Sequence, residues 1–136
     1  MKKTKLKKKS KKKISTLKNK LWKLFSLYIR NRDKFICITC GRRGSGSGMH
    51  AGHYIPKSIG GILLYFNETN VHSQCYHCNI NLGGYGAMYD KKMRLKYGEE
   101  TVEELWRIKR QDTAKWGEKE YNEKIEEYKK KCKKLI

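Results

Sequence analysis

All four histidines of the chain, His50, His53, His72 and His77, fall between residues 50 and 77, and two of the five cysteines, Cys75 and Cys78, share that stretch. Imidazole titrates near neutral pH, with an unperturbed pKa of about 6.5, so a histidine such as His53 can accept a proton from water at physiological pH. Cysteines at C-x-x-C spacing can present two thiolates from one side of a tetrahedral metal. Cys37 and Cys40 form one such pair and Cys75 and Cys78 a second, with residues 41 to 74 between them. Two pairs close a tetrahedral shell and leave no open position, which suits a structural zinc rather than a catalytic one. Reduced core cysteines with accidental spacing are the plain alternative. Cys132 lacks a partner at knuckle spacing and reads as a packing residue.

The composition says what such a site would face. Thirty-three Lys and Arg oppose thirteen Asp and Glu over 136 residues, a formal charge of +20, alongside nine tyrosines and three tryptophans. That excess points to a polyanion, and nucleic acid is the commonest. The length allows one modest core. No apolar run approaches the roughly 18 to 20 residues of a membrane span, and the lysine-rich start is not followed by a signal-type apolar stretch, so a cytoplasmic protein without membrane contact is expected.

Several elements must position these groups. Residues 1 to 14 are lysine-rich and without acidic residues, and read as a disordered arm that releases counterions from phosphates. Leu17, Leu21, Leu24 and Tyr28, with Phe25 widening the stripe, predict a helix from about Ser15. "FICITCG" reads as a short strand entering a zinc knuckle. Residues 49 to 55 and 62 to 66 read as two strands joined by a turn at Gly60 and Gly61, with Pro56 just outside the first. A helical turn is expected at 76 to 82, then helices from about Ala87 to Tyr97 and over "EETVEELWRIKRQ". The tail from Glu118 places Tyr121, Ile125, Tyr128, Cys132 and Leu135 on one seam, for packing within the chain or for dimerisation. The division expected is an arm at 1–14, a zinc-bound domain at 15–117 and a C-terminal amphipathic helix at 118–136. Phosphate contacts are expected from the arm, Arg30, Arg32, Arg42, Arg43 and Lys57.

A hairpin carrying His53, held by zinc against a helix that begins near Asn79, resembles the HNH, or ββα-metal, nucleases. More closely, "STLKNKLWKLFSLYIRNRD", "CITCG", "AGHY", "YFNETNVHSQCYHCN" and "YGEETVEEL" resemble the NinG (Rap) recombination proteins of lambdoid phages, over roughly residues 14 to 108. The resemblance implies an α+β fold with a zinc-stabilised treble-clef core and flanking helices. It also implies a structure-specific endonuclease that acts on Holliday junctions and D-loops in the cytoplasm of a bacterial host. His53, Asn70 and Asn79 would occupy the three motif positions. His53 would be the general base, Asn79 would offer an oxygen to Mg²⁺ or Mn²⁺, and Asn70 would orient the loop or the His53 ring. Branched or duplex DNA, other recombination proteins and a second copy of the chain are the implied partners, since resolving a junction takes two cuts.

One position departs from the HNH pattern. Many members carry an acidic metal ligand immediately before the base, where this chain has Gly52. His50, on the same strand face as residue 52, and His72 are the candidates to supply the ligand. The departure keeps two other readings in view: a zinc-stabilised DNA-binding module without catalysis, and a general nicking enzyme without structure selectivity.

Overall fold

The structure is a computed structural model that describes residues 2–44 and 48–135, with side chains described from residue 11. The chain forms two compact units, residues 29–114 and a second made of residues 1–28 with 115–136. This division differs from the one the sequence suggested, because the N-terminal helix contributes most of its length to the same unit as the C-terminal helix.

In that second unit, α1 (Lys2–Arg32) contributes Leu21 and Phe25, and α5 (Glu118–Lys133) contributes Tyr121, Ile125 and Tyr128, all buried. Phe25 and Tyr128 meet edge to face at 5.1 Å, and Tyr28 meets the same ring at 5.6 Å. The Cys132 thiol donates to the Leu24 carbonyl. The α5 seam is thus spent inside the chain rather than offered to a second copy. Glu118 and Glu120 in the first turn of α5 and Lys130, Lys131 and Lys133 in the last complement the helix dipole. The backbone of residues 2–14 is helical where a disordered arm was expected. Lysine is a good helix former, and extending a helix already nucleated by its apolar stripe costs little.

The larger unit is built on an antiparallel pair, β1 (Met49–His53) and β2 (Val71–Cys75), in the register Met49 opposite Cys75 and His53 opposite Val71. The second strand expected at 62–66 is instead a helical turn, α2 (Ile62–Tyr65). A short apolar run such as "ILLYF" fits either state, and here it buries Leu64 from a helix. The strand expected in "FICITCG" reduces to a single bridge between Ile36 and Arg43. Those residues instead form a tight knuckle, with the Cys37 amide on the Arg42 carbonyl and the Gly41 amide on the Cys37 carbonyl.

After β2 the chain makes one wide helical turn, His77–Asn81, then passes through Gly83 and Gly84, both at positive φ, into α3 (Gly86–Tyr97). Gly98, at φ 88°, ends α3 and starts α4 (Glu99–Gln111), a junction a side chain would strain. Tyr54, Ile55, Leu64, Tyr89, Met93, Val102 and Leu105 form the core between the hairpin connection and these two helices. No helix among the described residues is long and apolar enough to cross a membrane.

Candidate functional site

The knuckle supplies Cys37 and Cys40, the end of β2 supplies Cys75, and the turn that follows supplies Cys78. Their sulfur atoms all lie within 4.8 Å of one another. The Cys40 and Cys75 sulfurs are 3.7 Å apart. Four thiolates about 2.3 Å from a central zinc would stand about 3.8 Å from each other, so the spacing fits a tetrahedral ion. Electrostatics also favour a cation. Burial pushes the Cys37 thiol up, but hydrogen bonds from the Thr39 hydroxyl and from the Cys75, Cys40 and Thr39 amides outweigh it and bring it down to about 6. Burial and the neighbouring sulfurs push Cys78 up to about 12. A cluster with three of its four cysteines buried does not hold four thiolates without a metal to neutralise them. The four cysteines can therefore hold a metal such as zinc.

A cleft of about 170 Å³ opens beside this cage, lined by His53, Tyr54, Pro56, Lys57, Asn79, Gly83, Gly84 and Gly86. It brings together two of the three motif residues, His53 from the end of β1 and Asn79 from the turn after β2. His53 Nε2 lies 3.0 Å from the Tyr65 carbonyl oxygen. A carbonyl can only accept, so Nε2 carries the hydrogen, and in the neutral ring the lone pair is on Nδ1. Asn79 Nδ2 lies 3.1 Å from His50 Nδ1. Tyr54, whose hydroxyl donates to Asp90 and accepts from Trp106 Nε1, contributes its ring and holds its proton. Burial first, and then the Asp90 bond, push its pKa up to about 12.

Asn70 does not line the cleft. It is wholly buried, and its carboxamide accepts from the Ile55 amide at 2.8 Å and donates to the Ile55 and Leu64 carbonyls at 3.1 and 3.0 Å. Its own carbonyl accepts from the Tyr54 amide. It thereby clamps the segment just after His53 to the helical turn whose Tyr65 carbonyl meets the His53 ring.

His72 is placed elsewhere. It is fully buried, with Nδ1 3.2 Å from the Tyr89 hydroxyl and Nε2 2.6 Å from the Tyr97 hydroxyl. The Tyr89 hydroxyl donates to the Gly52 carbonyl, so His72 Nδ1–H donates to Tyr89 and Nε2 accepts from Tyr97. Both nitrogens are committed, and burial holds the ring neutral with a pKa near 3. His72 is a core histidine and supplies no metal ligand.

Gly52 has a structural cause that the sequence did not show. A Cβ at this position would lie 2.2 Å from Gln74 Oε1 and 3.1 Å from Gln74 Cβ and Cδ. The Gln74 carboxamide already fills the space where an acidic side chain would begin. Its Nε2 donates to the Gly84 carbonyl at 2.7 Å and to Thr39 Oγ1 at 3.2 Å, and the Thr39 hydroxyl reaches the Cys37 sulfur at 3.2 Å. A hydrogen-bonded chain thus runs from a cage sulfur to the cleft wall at Gly84. Sequence reasoning missed Gln74; the available signal was a polar run, "VHSQ", in a strand that buries every residue.

Among the expected phosphate contacts, Arg42, Arg43 and Lys57 are exposed and Arg30 is half-buried. Arg32 is spent internally. Its guanidinium donates to the Asp33 carboxylate and to the Glu68 and Val71 carbonyls, so it braces β2 instead of reaching a phosphate with that edge.

A sequence profile described as "NinG: Bacteriophage Lambda NinG protein" matches residues 1–136. The chain belongs to the NinG family. Among NinG relatives, the ninG protein of Escherichia phage lambda is 37% identical over 79 residues, which is 57% of this chain and 38% of that protein. The ninG protein of Escherichia phage 933W is 35% identical over the same shares, and that of Salmonella phage P22 is 34% identical. The alignment therefore spans well under half the length of these NinG proteins. No solved structure matches the chain.

Proposed function

We propose that this chain is a metal-dependent endonuclease of the HNH type that cuts branched DNA recombination intermediates, Holliday junctions and D-loops among them. The observation that carries the reading is the convergence of His53 and Asn79, the residue next to the cage cysteine Cys78, on one cleft, with the His53 ring oriented by the Tyr65 carbonyl. In this reading the hairpin and the turn His77–Asn81 are the ββα-metal, treble-clef arrangement, and zinc is structural.

His53 Nδ1 takes the proton from the attacking water. The Tyr65 carbonyl keeps the ring in the tautomer that leaves Nδ1 basic and stabilises the imidazolium that forms. Lys57, exposed at the cleft, neutralises phosphate charge, and Arg42 and Arg43 add to it. Asn79, through its carboxamide oxygen, and His50, once its Nδ1 is released from Asn79 Nδ2, are the residues to hold a divalent cation. An imidazole ligand beside an amide oxygen favours Mn²⁺ or another transition ion more than an all-oxygen site, the kind that suits Mg²⁺, would. That ion would stabilise charge on the phosphate and the leaving oxygen. Two cuts call for two copies on one junction, through a surface other than the seam of α5.

A second reading has its own observation. With Gln74 filling the space beside Gly52, the usual acidic ligand is absent, and a zinc-stabilised module that binds DNA and recruits recombination proteins without cutting needs none. One experiment separates them: nicking of a labelled four-way junction and a matched linear duplex by wild type and His53→Ala, with Mg²⁺, Mn²⁺ or EDTA. The nuclease reading expects metal-dependent cutting of the junction and a drop of about 10²- to 10⁴-fold in a folded His53→Ala that still binds. Binding without cutting under every condition establishes the module, and equal cutting of the duplex removes the structure selectivity.

A further inference from the structure

The larger unit holds a second cavity away from the His53 cleft, of about 310 Å³, lined by Arg32, Asp33, Lys34, Ile36, Ile38, His72 and Lys96. From these residues we infer a binding site for one nucleotide unit, a flat base with its phosphate, such as an unpaired nucleotide at a DNA branch. The volume lies at the lower end of the range for small-ligand sites, about 300 to 1,000 Å³.

The wall chemistry is selective. Arg32 has four contacts along its edge, to Asp33, Glu68 and Val71, so the guanidinium is immobilised and mainly its flat face remains for a ligand. Guanidinium planes stack on bases, and a plane already pinned loses little entropy in doing so. Ile36 and Ile38 supply apolar surface, and His72, buried behind the cavity with both nitrogens engaged by tyrosines, adds no charge to the wall. Asp33 is no free anion here: it accepts from Arg32 and from the Ser73 amide. Lys34 and Lys96 are exposed at the same cavity and can meet a phosphate, Lys96 from a position over the Tyr97 ring at 5.5 Å. Lys34 and Phe35 hold left-handed φ values of 55° and 54°, rare for non-glycine residues, at the turn that brings Lys34 to this wall. A cavity with a stacking plane, an apolar side and two lysines fits a nucleotide better than an uncharged apolar ligand or a bare anion.

The inference rests on the DNA-binding part of the proposed function and not on cleavage. The test uses the His53→Ala chain of residues 1–136 with isoleucine methyl labels for NMR. Titration with deoxyadenosine 5′-monophosphate is expected to shift Ile36 and Ile38 saturably. Deoxyadenosine should bind about tenfold more weakly, and Lys34→Asn with Lys96→Ala should abolish that difference. Asparagine tolerates the left-handed backbone at residue 34, and an otherwise unchanged methyl spectrum reports a folded variant. No shift with the monophosphate, or one indifferent to phosphate and to the lysines, overturns the inference. A four-way junction with 2-aminopurine at the branch or mid-arm then identifies the source. Brightening at the branch alone, lost in the lysine variant, shows an unpaired nucleotide of DNA. Isoleucine shifts without brightening assign the site to free nucleotides and overturn the branch assignment. Isoleucine shifts in a chain that binds neither junction nor duplex keep the cavity and sink the proposed function.

Discussion

The two ends of the β1–β2 hairpin are held by different physics. At one end Met49 pairs with Cys75, and the backbone runs into four sulfur atoms packed for a metal. At the other His53 pairs with Val71, and closure depends on the Asn70 carboxamide and on the Tyr65 carbonyl. Metal–thiolate bonds are strong and indifferent to small shifts, so they suit the end that must not move. Hydrogen bonds orient a ring within a few tenths of an ångström, which suits the end where the proposed function calls for a proton acceptor. A small domain with a modest core can thereby devote one end to stability and the other to chemistry.

The comparison breaks most visibly at the cage. Apparent zinc-binding energies of about 10 to 16 kcal/mol in small zinc domains rival the whole stability of a domain, about 5 to 15 kcal/mol. Cys75→Ser, or chelation, should therefore unfold residues 29–114, read as loss of dispersed methyl signals together with bound metal. An apo chain that keeps its core signals would show that the two ends do not differ as described.

At the cleft end, Asn70→Ala orphans one amide and two carbonyls. The expected cost is about 3 kcal/mol by denaturant titration. Because the lost clamp also positions the Tyr65 carbonyl, cleavage in the folded fraction should fall by about a hundredfold while junction binding holds. A stability loss with unchanged turnover would reduce Asn70 to packing alone.

Between the ends, His72 sets an acid limit. Its folded pKa, near 3, lies below the unfolded value of about 6.5, so its contribution is complete above about 6.5 and is lost as pH falls from there towards 3. The slope is at most about 1.4 kcal/mol per pH unit, or about 2 kcal/mol between pH 6.5 and 5. Thiolate protonation adds a separate acid loss, so the measurement is the difference between wild type and His72→Gln. Parallel pH curves for the two proteins would remove His72 as the cause.

The cage was legible because metal ligation imposes a spacing on the chain itself, C-x-x-C twice, and α3, α4 and α5 because their periodicity and their glycines mark them. His53 and Asn79 were legible as types near the cage. Gln74, Tyr65 and the commitment of Arg32 and His72 were not, because each depends on register and on what lies across a strand or helix. Gln74 stands opposite His50 only because β1 pairs with 71–75 and not with 62–66. Likewise "ILLYF" takes its state from tertiary packing and not from its own pattern.

The smallest expected effect tests the link between the ends. Gly52→Ala pushes a methyl to within 2.2 Å of Gln74 Oε1, an overpacking cost of about 1 to 3 kcal/mol. Gln74→Ala removes the donor to Gly84 and Thr39 and costs a similar amount. If the two positions contest one space, the double variant costs less than the sum by about 1 kcal/mol or more, since the alanine at 52 then enters the room the amide vacated. The loss of the Gly84 tether should remain in the double variant and appear as weaker cleavage in its folded fraction even where part of the stability is recovered. Additive costs would mean that Gln74 yields freely to a side chain at 52. The absence of an acidic residue there would then have no steric cause, and the cage and the cleft would be coupled by the backbone alone.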